Sequence, residues 1–203
     1  MGAAEASVLV DLPRAAELLQ LDERLRRIPA TAKVRGVFFH HVDSQLRRRG
    51  LANFAEWQRT APSSYRLHLL YPVTDLVRAL AFAGALVSPD PSEGMRELFH
   101  GAAPFAANTW FGRVFKALLR PDPLGALRWI ERSRDYISNH GHWRLEVRGP
   151  GHAMLHMFDE YMFIDSVHRG GCEGLLEACG VKGEVTAQMD GMFRGRLDIR
   201  WKE

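Results

Sequence analysis

Two cysteines, Cys172 and Cys179, are all the thiols this 203-residue chain has. They sit seven apart on one short predicted helix, which sets their Cα atoms about 10 Å apart, too far to bridge. No disulfide framework therefore holds the fold. No apolar run approaches the roughly 20 residues that a membrane span needs. The N-terminus shows no signal-peptide pattern. Met1-Gly2 is followed by Ala6 where a myristoylation start needs Ser or Thr, so the chain reads as cytoplasmic. Charge of one sign is scarce too. A net charge of +3 is no footprint of a nucleic-acid binder, and Arg47-Arg48-Arg49 reads as a basic helix end that complements the macrodipole.

Catalytic signatures are missing as well. There is no Gly-x-Ser-x-Gly, no His-Glu-x-x-His and no kinase set. Gly170-Gly171-Cys172-Glu173-Gly174 has neither the Lys-Ser/Thr ending of a phosphate loop nor the spacing of a dinucleotide fingerprint. These absences point away from an enzyme.

What is present is a strong pattern in the last third. Trp143, Leu145 and Val147 alternate with His142, Arg144, Glu146 and Arg148, the period of a half-buried strand. Gly149-Pro150-Gly151 turns the chain, and Ala153, Leu155 and Met157 mark the inner face of the return strand. A second hairpin alternates Val185, Ala187 and Met189, then Leu197, Ile199 and Trp201. Between the hairpins, Gly171 to Cys179 reads as a short helix stopped by Gly180. Residues 141–203 are thus expected as strand–strand–helix–strand–strand.

Upstream, the spacing predicts helices. One runs from Asp11 to about Arg27, one is capped by Thr31 and stopped by Gly50, and a short one spans Leu51 to Thr60. A regular helix follows Pro72, another is capped by Ser92, and Phe105 to Leu119 continues the pattern. Asp122-Pro123 opens the last, to about Ile137. The expected fold is α+β, a helical N-terminal layer followed by a four-stranded antiparallel sheet. Residues 1–30 form an arm and helix, and 31–203 a single domain, helical over 31–140 and sheet-forming over 141–203.

Three stretches carry a resemblance: Lys33-Val34-Arg35-Gly36-Val37-Phe38-Phe39, the Tyr71-Pro72 helix, and Gly170 through Gly180 to a strand ending in Trp201. Over residues 22–203 the chain resembles a family of uncharacterised proteins restricted to myxobacteria. That family is distantly similar to the heme-NO-binding domains and to the vinyl-reductase/TRAPP superfamily. The resemblance implies a helical layer before a small sheet, with an apolar ligand between them in several members. It also implies, for the heme-binding branch, a histidine in the helix before the sheet and a Tyr-x-Ser-x-Arg signature. Pro123–Ile137 has no histidine, and in Tyr161 to Arg169 the pair Ser166 and Arg169 is one residue too widely spaced. The expectation is therefore no cofactor, with heme set aside for want of an axial ligand.

Candidate residues remain. Five of the nine histidines fall between His140 and His168; His142 and His156 would share a face across the hairpin and could hold a metal with Asp159 or Glu160. Otherwise Asp159 and Glu160 end a strand and face water. His40 and His41 read as one buried and one exposed helix residue. Cys172 near a helix N-terminus reads as packing rather than as a nucleophile. Phe38, Phe82, Trp110, Phe111 and Phe115 are candidates to line an apolar pocket, and Met154 with Phe158 suggests a dimer or partner surface. The leading expectation is a non-enzymatic, regulatory binding or adaptor module acting on a protein partner or on itself. The alternatives are a sensor of an apolar small molecule, or a metal- or histidine-dependent enzyme.

Overall fold

A computed structural model describes residues 11–51, 57, 65–102 and 122–202. The C-terminal sheet follows the alternation. β3 (His142–Gly149) and β4 (His152–Phe158) form one antiparallel hairpin, β5 (Gly183–Gly191) and β6 (Arg194–Trp201) the other. β4 pairs with β6, giving the order β3-β4-β6-β5. The register sets Leu155 between Leu145 and Leu197, so the inward residues of neighbouring strands face one core. α7 (Arg169–Ala178) lays Cys172, Leu175 and Leu176 on that face. Burying each leucine there contributes about 2 kcal/mol.

The helical layer holds α1 (Leu12–Leu18), α2 (Leu21–Arg27), α3 (Val37–Arg48), α4 (Val73–Val87), α5 (Pro91–His100) and α6 (Pro123–Ile137). With α7 these are seven helices among the described residues. α4 is the most completely buried, with Leu76, Val77, Leu80 and Ala83 inaccessible to solvent. α5 joins the layers: it packs on α4 through Gly84 and Gly94, and on α7 through Gly170 and Gly174. A Cβ at Gly174 would overlap the His100 carbonyl oxygen, so this helix pair approaches backbone to backbone.

Three local expectations are corrected. The helix from Asp11 breaks at Gln20, which adopts φ 48° and splits it into α1 and α2. The helix expected from Thr31 begins only at Val37. Lys33–Arg35 is instead a short strand, β1, paired with β2 (Leu70–Pro72), a partner some 35 residues away that local spacing does not reveal. The cap of α5 is Asp90, whose carboxylate accepts from the Ser92 and Glu93 amides with Pro91 in the first turn. The helices expected over Leu51–Thr60, apart from the buried Trp57, and over Phe105–Leu119 lie outside the described residues. Among the described residues no helix is long and apolar enough to cross a membrane.

Candidate functional site

The junction where α6 hands the chain to the sheet is tightly specified. The Asn139 side chain accepts from the Lys33 amide at 2.6 Å and donates to the Thr31 carbonyl at 2.9 Å, tying the end of α6 to β1. The His140 carbonyl accepts from Ser138 Oγ at 3.2 Å and from the Arg134 guanidinium. Gly141 follows at φ 78°, its Cα facing the Asp159 and Phe158 carbonyls so closely that a Cβ would sit 3.1 Å and 3.3 Å from them. These contacts fix His140 at the sheet's end, buried with 7% of its surface exposed.

On the adjoining strand the chain leaves β4 through Asp159, a non-glycine residue at φ 51°. That turn swings Glu160 inward. The expectation that Glu160 faces water is wrong: it is 0% exposed. Its Oε2 accepts from the Trp143 indole at 2.8 Å and its Oε1 from the Met162 amide at 3.0 Å. His168, at the end of a π-helical turn (Ile164–His168), places Nε2 3.4 Å from Oε1, in ion-pair range but off hydrogen-bond geometry. Burial pushes the Glu160 carboxyl up, but His168, His140 and the Met162 amide more than offset it and hold it below the ordinary carboxylate range.

Arg24 reaches this corner from α2. It donates to the Tyr161 carbonyl at 3.2 Å and lies over the Phe163 ring at 4.3 Å and the Phe193 ring at 5.2 Å. Burial draws its pKa down to about 10 against the pull of Asp165 and Glu160. Four residues in this region of the fold keep buried polar atoms without a hydrogen-bond partner: Arg24 at Nε, His140 at both ring nitrogens, Ser166 at Oγ and His168 at Nε2. Native interiors leave few such groups, and each calls for a partner from water, an ion or a ligand. Burial also lowers the His140 pKa, against Glu160 and the nearby Asp159 carbonyl, so its ring is neutral with a lone pair to offer.

The sequence-derived candidates fall elsewhere. His142 lies on the outer face opposite Phe158, its ring 6.3 Å from that ring; His156 lies opposite Arg144 and sets Nε2 3.0 Å from Glu146 Oε2. Glu160, the third ligand considered, points to the other side of the sheet. Among the described residues no group of three or more His, Cys, Asp or Glu side chains is arranged to hold a metal ion. Phe38 stacks 6.3 Å from Phe99, and buried Phe82 stacks 6.3 Å from Trp57; Trp110, Phe111 and Phe115 lie outside the described residues. Cys172 is buried in the sheet core, and burial with Glu173 beside it pushes its thiol up to about 12, the signature of packing. His140, Glu160 and Arg24 do not read together as a site in the sequence, because Arg24 lies over 100 residues from the other two and only Asp159's left-handed turn brings Glu160 inward.

Known structures share this architecture. The chain is 12% identical to an H-NOX protein from S. oneidensis in the Fe(II)NO ligation state, with 83% of this chain and 99% of that one aligned at a TM-score of 0.67. The Fe(II) unliganded H-NOX protein from K. algicida aligns over 83% of this chain and 97% of its own, at 10% identity and a TM-score of 0.64. An H-NOX structure solved to probe heme distortion aligns over 83% and 95%, at 13% identity and a TM-score of 0.66. At such identities the likeness is one of fold. No curated protein matches the sequence.

The expectation of no cofactor, with heme set aside, is overturned by this likeness, since the proteins of similar fold are iron-bearing H-NOX proteins. That expectation rested on the helix before the sheet and on the spacing of Ser166 and Arg169. α6 indeed has no histidine, yet the fold supplies a buried one with two unpaired nitrogens three residues beyond its end. The family shown by sequence is a domain of unknown function: residues 27–202 match DUF2378, and the chain belongs to that family.

Proposed function

We propose that the chain is a small-molecule sensor domain that takes its ligand between the helical layer and the sheet. The observation that carries this reading is the fold, shared over 83% of the chain with H-NOX proteins solved in ferrous and NO-ligated forms. It favours the sensor over the adaptor module that the bare sequence put first. Two features of the chain support it. The helical layer is rich in aromatic side chains, among which Phe38, Phe82, Trp110, Phe111 and Phe115 are the proposed apolar lining. The corner formed by His140, Glu160 and Arg24 offers polar groups beside it, the usual composition of a ligand site.

Heme is the first ligand to test. His140 has the chemistry to meet its iron, and Arg24 is a buried cation of the kind that suits an acidic substituent. Bound there, the group would supply an iron centre open to a diatomic gas. The chain's own part would be to hold the ring system dry among aromatics and to keep one imidazole neutral.

The experiment is native mass spectrometry of the purified chain with an absorption spectrum, before and after incubation with hemin. A retained small molecule, or one equivalent of hemin, supports a sensor. Phe82→Ala should weaken binding about tenfold while the fold survives. A chain that retains nothing and binds neither hemin nor any compound of an apolar screen would overturn the reading.

A further inference from the structure

The four-stranded sheet has two edges, β3 and β5, and they are not alike. An unpaired edge presents a row of amides and carbonyls that can template another chain, so proteins commonly blunt it. The β3 edge is blunted. The Leu145 amide donates to Glu131 Oε1 on α6 at 2.6 Å, the register slips between Val147 and Gly149, and Pro150 follows. The β5 edge is open. β5 is the longest strand of the sheet, nine residues without proline, in unbroken register with β6 from Gly183 to Met189. The Lys182 carbonyl accepts from the Lys202 amide at 3.0 Å, on the β6 side. Antiparallel alternation then turns the amides and carbonyls of Val185 and Ala187 outward. Among the described residues, nothing hydrogen-bonds to that outward row.

We infer that the free edge of β5 joins two copies of this chain into one eight-stranded sheet, paired antiparallel about Thr186. This surface is independent of what the chain binds between its layers. Complementarity along the strand carries the inference. A two-fold axis at Thr186 sets that residue opposite its own copy, Glu184 opposite Gln188, and Lys182 opposite Asp190, all exposed on the outer face. Cross-strand threonine pairs and opposite-charge pairs are favourable. Within one chain Asp190 meets only Arg196, at 3.6 Å. On the inner face the same axis sets Val185 opposite Ala187 and Met189 opposite Gly183. Met189 is 39% exposed. Gly183 offers it a place without a side chain, beside Leu176 and Trp201, the residues a Cβ there would meet.

Other registers fit less well. An axis at Ala187 would set Glu184 against Asp190, like charge against like. An axis at Val185 would leave Met189 and Asp190 beyond the paired length. Charge and the exposed methionine therefore select the axis at Thr186.

The test is analytical ultracentrifugation of the full chain over a concentration series. Wild type should show a reversible monomer–dimer equilibrium. Lys182→Asp and Asp190→Lys each set like charges across the axis at two symmetric places, and each should weaken association about tenfold. Combined in one chain, the two substitutions should restore it. Within one chain these positions stand about 27 Å apart along the strand, so such a rescue comes only from a second copy. Thr186→Cys should give a disulfide-linked dimer on oxidation, its Cα atoms about 4.5 Å apart across the axis. Gln188→Cys, about 14 Å from its copy, should not. Circular dichroism confirms that each variant is folded. A wild type that stays monomeric up to about 100 μM overturns the inference, and an extended peptide found to bind this edge would then assign it to another protein. A dimer indifferent to both charge variants, or one linked through Gln188→Cys and not Thr186→Cys, uses another surface or register and overturns it equally.

Discussion

The Trp143 indole nitrogen donates to Glu160 Oε2 at 2.8 Å, and both residues are buried where β3 begins and β4 has just ended. This bond closes the open end of the first hairpin from the inside. It also orients a carboxylate whose other oxygen takes the Met162 amide. Glu160 is thus the point at which the sheet, the turn after β4 and the π-helical turn are joined.

Removing either partner should be costly, in different amounts. Glu160→Ala leaves the indole and the Met162 amide without acceptors in the interior, and should destabilise the chain by about 3 kcal/mol. Trp143→Phe removes a donor but keeps a ring, and should cost about 2 kcal/mol. Urea denaturation checks both. The double variant should cost clearly less than the sum, since the two share one bond. Strict additivity would mean that the pair is not coupled.

The sheet was legible in the sequence because its signal is local. Trp143, Leu145, Ala153, Leu155, Leu197 and Ile199 each announce their face through their immediate neighbours. β1 was not legible, since Lys33–Arg35 acquires strand character only by pairing with Leu70–Pro72. The site was illegible for a further reason. Glu160 sits in an Asp-Glu pair that reads as a wet strand end, and only Asp159 at φ 51° sends it inward. His140 looks like part of a loop; its burial comes from Tyr161 and Glu160, which reach it through the turn after β4 and which no local spacing encodes.

Acid should unfold this chain early. His41 is buried among α3, α5 and the Phe99 ring, and burial lowers its pKa to about 4. In the unfolded chain the same group has a pKa of about 6.5, so between those values the unfolded state binds more protons. Stability is therefore full above pH 6.5 and falls as the pH drops toward 4, by roughly 3 kcal/mol at most from this residue. Glu160, held below the usual carboxylate range, adds to the loss at lower pH in the same direction. Urea midpoints from pH 7.5 to 4 test the slope. His41→Gln, which cannot titrate, should flatten it between pH 6.5 and 4.

Neither thiol should react in the folded chain. Cys172 faces the sheet core, with its thiol pushed up to about 12, and Cys179 is buried with its pKa also raised. At pH 8 a thiol reagent should therefore label neither on the timescale of minutes, and both once urea unfolds the chain. Rapid labelling of Cys172 without denaturant would show that α7 lifts from the sheet.

The joint between the two layers offers a paired test on one helix. Gly171 and Gly174 are both on α7, three residues apart, and carry the same helical propensity penalty. A Cβ at Gly171 meets nothing within 4 Å, whereas at Gly174 it would overlap the carbonyl of His100 on α5. Gly171→Ala should therefore stabilise the chain by about 0.5–1 kcal/mol through helix propensity alone. Gly174→Ala must push α5 from α7 and should cost about 2–3 kcal/mol despite the same gain. Because Arg96 on α5 bridges to Glu173 at 2.6 Å across the same contact, that separation should also weaken the ion pair. Thermal melts of the two variants give the comparison. Equal effects would mean that the layers are not in backbone contact at Gly174, and opposite signs would establish that they are.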